Sequence, residues 1–586
     1  MKIEFEIEPL PIEHVEKKER VVLEKLTPEE VQIIDPIIPP TSGIRIAVCD
    51  HINKVYRMLV RRQMMMLRVF QAVADIAQKE IKKSHIKVLI VADDRPSSNK
   101  LTEYCAKVFS HSGYEIYFQK NPLTNDKTTQ QIDQYYSRMS TPYASASIKL
   151  FPEIDLVVAI TASHNELIWN GIKIYIERPI PISGTVMESI SKRALEYSEI
   201  IMDAEINPHY LDANAVNNEY VVKLVNQIID TSILRGKKII LWPYLGSAPE
   251  IQDLLHKVGA EVILIDENIE PPNPTAYMDI PKTKSIMEQH DSSIAILLDA
   301  DRDRVVFLIR DKQNDSIYSL TPNELYTAMH NLLATKFKKK IINVRTVPSD
   351  PRSDKSALIN IMAGVGYKHL GMVLYSALHK IKDPAKIATG LIYLETEQGY
   401  EKVTDPHQIP QFFAKKGIIG DDLIMVLWEE SGGHTFNLLK IEPNGPDDVK
   451  VQALMPELGD KYPAPAILVL CTLLEMGYNL PASVDRNVVG TRTVIEAQDE
   501  RKVRIVQGFA KLCCQEIQIG NESYQISTLE QVDGVVDIIV LSNPTTKIYF
   551  RPSGTGPEVR IYIFAPASLA KKQLELVKQK IDEMFP

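Results

Sequence analysis

Short apolar runs, unbroken rather than alternating, recur along the chain and end in polar clusters. Val157-Val158-Ala159-Ile160 leads into Thr161-Ala162-Ser163-His164-Asn165. Ala295-Ile296-Leu297-Leu298 leads into Asp299-Ala300-Asp301-Arg302-Asp303-Arg304, and Ile424-Met425-Val426-Leu427 into Trp428-Glu429-Glu430-Ser431-Gly432. An apolar run without alternation predicts a strand covered on both faces. Upstream of each run the pattern repeats: a β-branched strand (86–94, 237–245 and 339–347), a helical stretch, a glycine (Gly113, Gly259, Gly366), and a second short apolar run. A glycine at that place reads as the left-handed end of a helix. The spacing predicts three related α/β units, each presenting a polar loop at the carboxyl end of an equivalent strand, where open α/β sheets bind ligands.

The last part of the chain has another rhythm. Residues 547–565, KIYFRPSGTGPEVRIYIFA, alternate as two strands about a tight turn, and residues 568–585 have helical spacing. This predicts a smaller α+β domain. The expected division is 41–220, 221–320, 321–480 and 481–586, with 1–40, which ends in Pro-Ile-Ile-Pro-Pro, as an extension or linker.

Composition narrows the class. The chain has 586 residues, 45% of them hydrophobic, enough for several cores, and a net charge of -9. The acidic balance argues against bulk nucleic-acid binding but not against a local pocket for a small anion. Cys49, Cys105, Cys471, Cys513 and Cys514 show no paired or zinc-ligand spacing, which fits a reducing compartment. The N-terminus is too polar for a signal peptide, and no apolar run spans a membrane. A cytoplasmic protein with no membrane or nucleic-acid partner is the expectation.

Four loops carry chemistry. The Ser163 hydroxyl is a candidate nucleophile or phosphate carrier, although Ser163 and Glu166 also have the spacing of a helix capping box. Asp299, Asp301 and Asp303 set three carboxylates at alternate positions, an oxygen donor set for a hard cation. They are not an EF-hand, because Arg304 stands at the sixth position and Arg310 at the twelfth. Glu429 and Ser431 beside Gly432 and Gly433 suit sugar hydroxyls, and an ordinary polar turn suits them as well. Arg551, Ser553, Gly554 and Thr555 form a phosphate cradle or a plain hairpin turn, and no Walker A loop is present.

Taken in order, these loops resemble those of the alpha-D-phosphohexomutases, the phosphoglucomutase/phosphomannomutase superfamily, from Thr41 to the C-terminus. Thr41-Ser42-Gly43-Ile44-Arg45, Asp94-Arg95, Ser140-Thr141-Pro142 and Gly366-Tyr367-Lys368 add to the resemblance. It implies three related α/β domains with mixed sheets plus a C-terminal α+β domain, arranged like a heart around a central cleft. It implies a phosphoserine at Ser163, with Mg²⁺ held by Asp299, Asp301 and Asp303 beside it. His164 and Lys173 would position groups and move protons, and Arg45 and Arg304 would stabilise charge. Lys368, Glu429 and Ser431 would bind the sugar; Arg551, Ser553, Gly554 and Thr555 would hold the phosphate that does not react. The implied reaction interconverts hexose 1- and 6-phosphates of glucose or mannose, with a hexose 1,6-bisphosphate as intermediate and activator, in a monomer or weak homo-oligomer. The alternative is a family member that binds phosphosugars without turnover. A stand-alone phosphatase fits poorly, for the acidic triplet lacks a DxDx[TV] nucleophile motif. The chain departs from the family pattern at Ile46, Glu166, Arg302, Trp428 and Gly556. Arg302, between two expected metal ligands where a small residue is usual, is expected to point outward or to compete for the phosphate.

Overall fold

The computed structural model describes residues 3–36, 43–121, 134–311, 314, 316–381, 391–396, 399–532, 535–553 and 557–586. The chain forms two compact units, Met1–Ser319 with Pro456–Met476, and Leu320–Met455 with Gly477–Pro586.

The first unit holds two larger sheets. One has the order His209–Leu211, Glu115–Gln119, Lys87–Ala92, Leu156–Ile160, Trp169–Ile176, Ile44–Ala47. The other has the order Glu261–Leu264, Lys238–Pro243, Ile294–Leu298, Val305–Asp311, Ser316–Ser319. The second unit repeats the plan in a seven-stranded sheet centred on Ile359–Ala363, Lys340–Thr346, Gly420–Trp428 and His434–Pro443. In all three, the central strands run parallel and the strand after the chemical loop runs antiparallel to the one before it. Each polar loop is therefore a hairpin turn at the end of a central strand. Leu156–Ile160 and Ile294–Leu298 are buried at every position, as unbroken apolar runs require. The C-terminal part is a six-stranded sheet in which every pairing is antiparallel, covered by the helices Asp499–Ala510 and Ala570–Met584. This is the expected α/β class with mixed sheets and an α+β end.

Four features differ from the sequence reading. Gly113 (φ 86°) and Gly259 (φ 88°) do follow the helices Ser98–His111 and Pro249–Lys257, but Gly366 (φ 123°) precedes the helix Tyr367–Ala377. In the third α/β repeat the first connection contains only the 3-10 turn Pro351–Ser356, because Pro348 and Pro351 interrupt the stretch. Residues 3–36 are no linker. Glu4–Ile7 pairs with Val55–Met58, and Lys18–Val22 pairs with Glu199–Asp203. Glu19 meets Lys107 at 3.0 Å in a buried ion pair, and Thr27 and Glu30 form a reciprocal capping box on Pro28–Ile34. Finally, residues 456–476 belong to the first unit: Tyr462 donates to Asn217 at 2.8 Å and stacks on Tyr143.

Candidate functional site

The serine loop joins Leu156–Ile160 to Trp169–Ile176. It starts no helix: Ser163 sits at φ 53°, in the left-handed region, so the capping-box alternative is excluded. That conformation costs a non-glycine residue about 1 kcal/mol and needs support from its surroundings. Arg95 supplies it. Its guanidinium donates to the carbonyls of Ser163 (2.5 Å), Asn165 (2.8 Å), Glu166 (2.6 Å) and Trp169 (3.1 Å), and to Asp93 (3.1 Å). Asp93 in turn accepts from Thr161, whose oxygen accepts from the Ser163 N–H at 2.8 Å. From the other side the Leu167 N–H donates to Glu270 at 2.8 Å. Arg45 lies opposite Gly171 in the neighbouring strand and donates to Asn165 at 3.0 Å. Gly171 must be glycine here, since a Cβ would lie 2.1 Å from the Ile44 carbonyl oxygen.

The acidic turn faces this loop within the same unit. Ser163 Oγ donates to Asp299 at 3.3 Å and lies 3.3 Å from His164 Nδ1. Asp299, Asp301 and Asp303 offer oxygens within 4.8 Å of one another, all buried. Lys173 reaches across from the strand after the serine loop, to Asp301 at 2.7 Å and Asp303 at 3.0 Å. Thr141 donates through its hydroxyl to Asp301 at 3.0 Å and through its N–H to the Asp301 carbonyl at 3.1 Å. Ser140-Thr141-Pro142 has this place because Ser140 caps the helix Thr141–Leu150 and Pro142 suits its first turn. Arg304 donates its N–H to Asp299 at 3.2 Å, and its guanidinium stands 3.8 Å from Asp303.

Charge within the turn is uneven. Burial, with Asp301 and Asp303 beside it, pushes the Asp299 carboxyl up. Burial opposes the charged form of Asp303 too, but Lys173, Lys461 and Arg304 outweigh it and hold that group well down. Burial lowers Lys173, yet Asp301 and Asp303 more than reverse this, so it stays an ammonium. Burial, then Arg304 and Arg45, push His164 down to about 3, leaving a neutral imidazole at physiological pH. Asp301 Oδ1 and Asp303 Oδ1 are buried without a hydrogen-bond partner. Bare carboxylate oxygens converging with a serine hydroxyl form an all-oxygen donor set, so these residues fit a hard divalent cation.

Sequence reasoning missed Lys461, which approaches Asp303 to 3.4 Å from the segment before the helix Ala464–Glu475. It also gave Asp93 no role and read Arg302 wrongly. Arg302 points neither outward nor toward the serine. Its side chain is 1% exposed and lies 2.5 Å from Asp94 and 3.3 Å from Glu250. The single cue was an arginine inside an acidic triplet, because Glu250 lies far off in sequence.

In the second unit, the turn after Gly420–Trp428 closes through Glu429 N–H to the Gly433 carbonyl at 3.1 Å, with Gly432 at φ 109°. Ser431 Oγ donates to Glu429, so the two form one polar pair. Trp428 is fully buried beneath the turn and donates to Asn343 at 2.8 Å, which accounts for a bulky residue at this position. Lys368 stands half-buried at the start of the helix Tyr367–Ala377, and burial lowers its pKa. Arg551 is 7% exposed, and its Nε has no hydrogen-bond partner. It sits directly opposite Arg560 in the hairpin, a like-charge pairing that disfavours the strands until an anion or carboxylate offsets it. Arg560 has Glu558 at 2.8 Å. Lys502 donates to the Ser553 carbonyl at 3.2 Å. Gly554, Thr555 and Gly556 lie outside the described residues, as do Thr41 and Ser42.

The structure thus brings Arg45, Ser163, His164, Lys173, Asp299, Asp301, Asp303 and Arg304 together in the first unit. It places Lys368, Glu429, Ser431, Arg551 and Ser553 in the second. Residues 41–200 match the family description "Phosphoglucomutase/phosphomannomutase, alpha/beta/alpha domain I". A phosphoglucomutase of Staphylococcus saprophyticus is 27% identical over 240 residues, 37% of this chain and 41% of the relative. A phosphoglucosamine mutase of Dictyoglomus thermophilum is 26% identical over 243 residues, 40% of this chain and 47% of the relative. The chain therefore spans less than half the length of these two curated relatives. The open form of the Paramecium exocytosis-sensitive phosphoprotein pp63/parafusin, a phosphoglucomutase, superposes with a TM-score of 0.62 at 14% identity, covering 97% of each chain, which shows a shared fold. With a first domain that matches this family over residues 41–200 and a fold shared along its length with a phosphoglucomutase, the chain is similar to the phosphoglucomutases and phosphomannomutases.

Proposed function

We propose that this protein is a phosphohexomutase that moves a phosphoryl group between the 1- and 6-positions of a hexose phosphate by way of Ser163. The observation that carries the reading is the Ser163 hydroxyl, 3.3 Å from Asp299, held at φ 53° beside three buried carboxylates. Asp299, Asp301, Asp303 and the Ser163 oxygen would hold Mg²⁺, which when bound offsets charge on the phosphoryl oxygens. The four-part division at 41–220, 221–320, 321–480 and 481–586 belongs to the same reading.

The chain's own groups have distinct tasks. A sugar hydroxyl attacks the phosphoserine phosphorus, its new O–P bond forms and the Ser163 O–P bond breaks. Arg45, Arg304 and Lys173 offset charge on the transferring group. The attacking hydroxyl must lose a proton. His164, with Nδ1 3.3 Å from Ser163 Oγ, would accept one once the phosphoserine's negative charge offsets the burial and the arginine charges that hold its imidazole down, while Lys173 as an ammonium can only donate. Transfer from the other end of the bisphosphorylated sugar returns the phosphoryl group to Ser163. Glu429, Ser431 and Lys368 bind the sugar, and Arg551 with Ser553, Gly554 and Thr555 binds the phosphate that does not react. Glucose or mannose phosphate is the proposed substrate, although four relatives are named for glucosamine.

Intact-mass measurement of purified protein, with peptide mapping, should find one phosphoryl group on Ser163. Coupled assays on glucose, mannose and glucosamine 1-phosphates, primed with the matching bisphosphate, should give Mg²⁺-dependent turnover. Tight binding of all three without turnover or phosphorylation would instead make the chain a phosphosugar-binding protein.

A further inference from the structure

The acidic turn contains a second ionic system that points away from the serine. Arg302 stands between Asp301 and Asp303 at φ 60°. A glycine would avoid the roughly 1 kcal/mol that this conformation costs an L-residue. The side chain is also 1% exposed, where an unpaired guanidinium is costly. Both penalties need compensation, and two carboxylates supply it. Nη2 donates to Asp94 at 2.5 Å, and Nε lies 3.3 Å from the Glu250 carboxylate, which is equally buried.

The partners are themselves fixed. Glu250 belongs to the first turn of the helix Pro249–Lys257. Asp94 also faces Arg138 at 3.4 Å and is wedged against Gly246, where a Cβ would fall 2.1 Å from its Oδ2. Arg302 thereby ties the turn to two other segments of the first unit. On the turn's other side, Thr141 holds the Asp301 backbone and side chain. With the bend pinned at both residues, alternate side chains leave it in opposite directions: Asp301 and Asp303 face Lys173 and Lys461, and Arg302 faces Asp94 and Glu250.

We infer that Arg302 is a positioning residue for the acidic turn, its anchorage to Asp94 and Glu250 holding Asp301 and Asp303 convergent for a divalent cation. This rests on the metal-binding reading of that turn given above. The sign of the effect separates positioning from simple electrostatics. Removing a cation near a metal site should tighten divalent-ion binding by Coulomb's law. Loss of positioning should weaken it.

The test is Mn²⁺ binding to the full-length protein without sugar, read by electron paramagnetic resonance of the free ion. Arg302→Gly, which also relieves the backbone, should weaken Mn²⁺ at least tenfold, and Arg302→Lys should recover part of the loss. Glu250→Gln and Asp94→Asn, which keep side-chain volume and guard against a misfolded glycine variant, should each weaken it severalfold. Asp301→Asn is the control for the site. If Asp301→Asn abolishes binding while Arg302→Gly, or both carboxamide variants, stay within twofold of wild type or bind more tightly, the positioning role is overturned and the metal reading stands. If wild type does not bind Mn²⁺, or Asp301→Asn binds it normally, the metal reading fails and takes this inference with it.

Discussion

At Asp301 one carboxylate oxygen accepts from Lys173 and Thr141 while the other is buried and bare. That combination suits a group that trades a lysine for a metal ion. Asp301→Asn keeps the volume, removes the charge and leaves Lys173 facing Asp303 alone. Activity should fall by at least about 100-fold, and added Mg²⁺ should restore little of it, since even residues supporting a metal ligand are worth 10–100-fold. A titration of activity against Mg²⁺ measures this, and wild-type activity after exhaustive chelation would contradict it. Arg551 belongs to the same scale. With Arg560 opposite and Nε unpaired, its guanidinium is set to take an anion. Arg551→Ala should cost about 2 kcal/mol in kcat/KM in both reaction directions, as for a lost charge-assisted bond. Arg551→Lys should recover part, because an ammonium keeps the charge without the fork. A change within about threefold in both directions, under ~1 kcal/mol, would remove Arg551 from the phosphate site.

At the scale of elements, the helix Pro322–Thr335 meets the strand His434–Pro443 through two histidines. His330 Nε2 lies 2.9 Å from His434 Nε2, both rings are buried, and Trp428, Tyr326 and Phe436 surround them. Burial pushes His330 down to about 3, and burial with its neighbour pushes His434 well below the usual range. One ring must donate a proton to a neutral partner, so the contact is lost when both are charged, and burial already disfavours a charge on either. An unfolded histidine takes up a proton near pH 6.5, and these folded ones do not. Their stabilising contribution is therefore complete above that pH and is lost as pH falls toward about 3. Between pH 7.5 and 5, each should remove up to about 2 kcal/mol of stability. Urea unfolding at both values should show the drop, and His330→Leu combined with His434→Leu should flatten it. An equal slope in the double variant would mean that other groups carry the pH dependence.

At the scale of the whole chain, the first unit is completed by residues that come after most of the second. Tyr462 packs on Tyr143 and Tyr220, Asp460 accepts from Tyr175 at 2.8 Å, and Glu457 meets Lys149 at 3.2 Å. The helix Ala464–Glu475 is almost wholly buried. A fragment ending at Ser319 lacks all of this and bares an apolar face around Tyr143 and Tyr220. It should unfold without a cooperative transition or aggregate, and fusing residues 456–476 through a flexible linker should restore a sigmoidal melt followed by circular dichroism. A cooperative, monomeric fragment 1–319 would show that the returning segment is dispensable for folding.

The sequence alone determined what is local. An unbroken apolar run must be a covered strand, a polar cluster after it must leave that strand as a turn, and three carboxylates or a serine beside a histidine bring their donor chemistry wherever they sit. Three sheets of one plan, with Ser163, the acidic triplet and Glu429 on equivalent turns, follow from that periodicity. Tertiary structure alone decided which charges meet. Lys461 reaches Asp303 and Glu250 reaches Arg302 from distant segments, while Glu19 draws the first strands onto Lys107. The energy of a buried charge depends on its partners and on water, not on its neighbours in sequence, so an arginine amid aspartates can turn to either side. The same reason separates Gly366 from Gly113 and Gly259. A glycine permits a left-handed bend, and only the packing of the segments around it decides whether a helix ends or begins there.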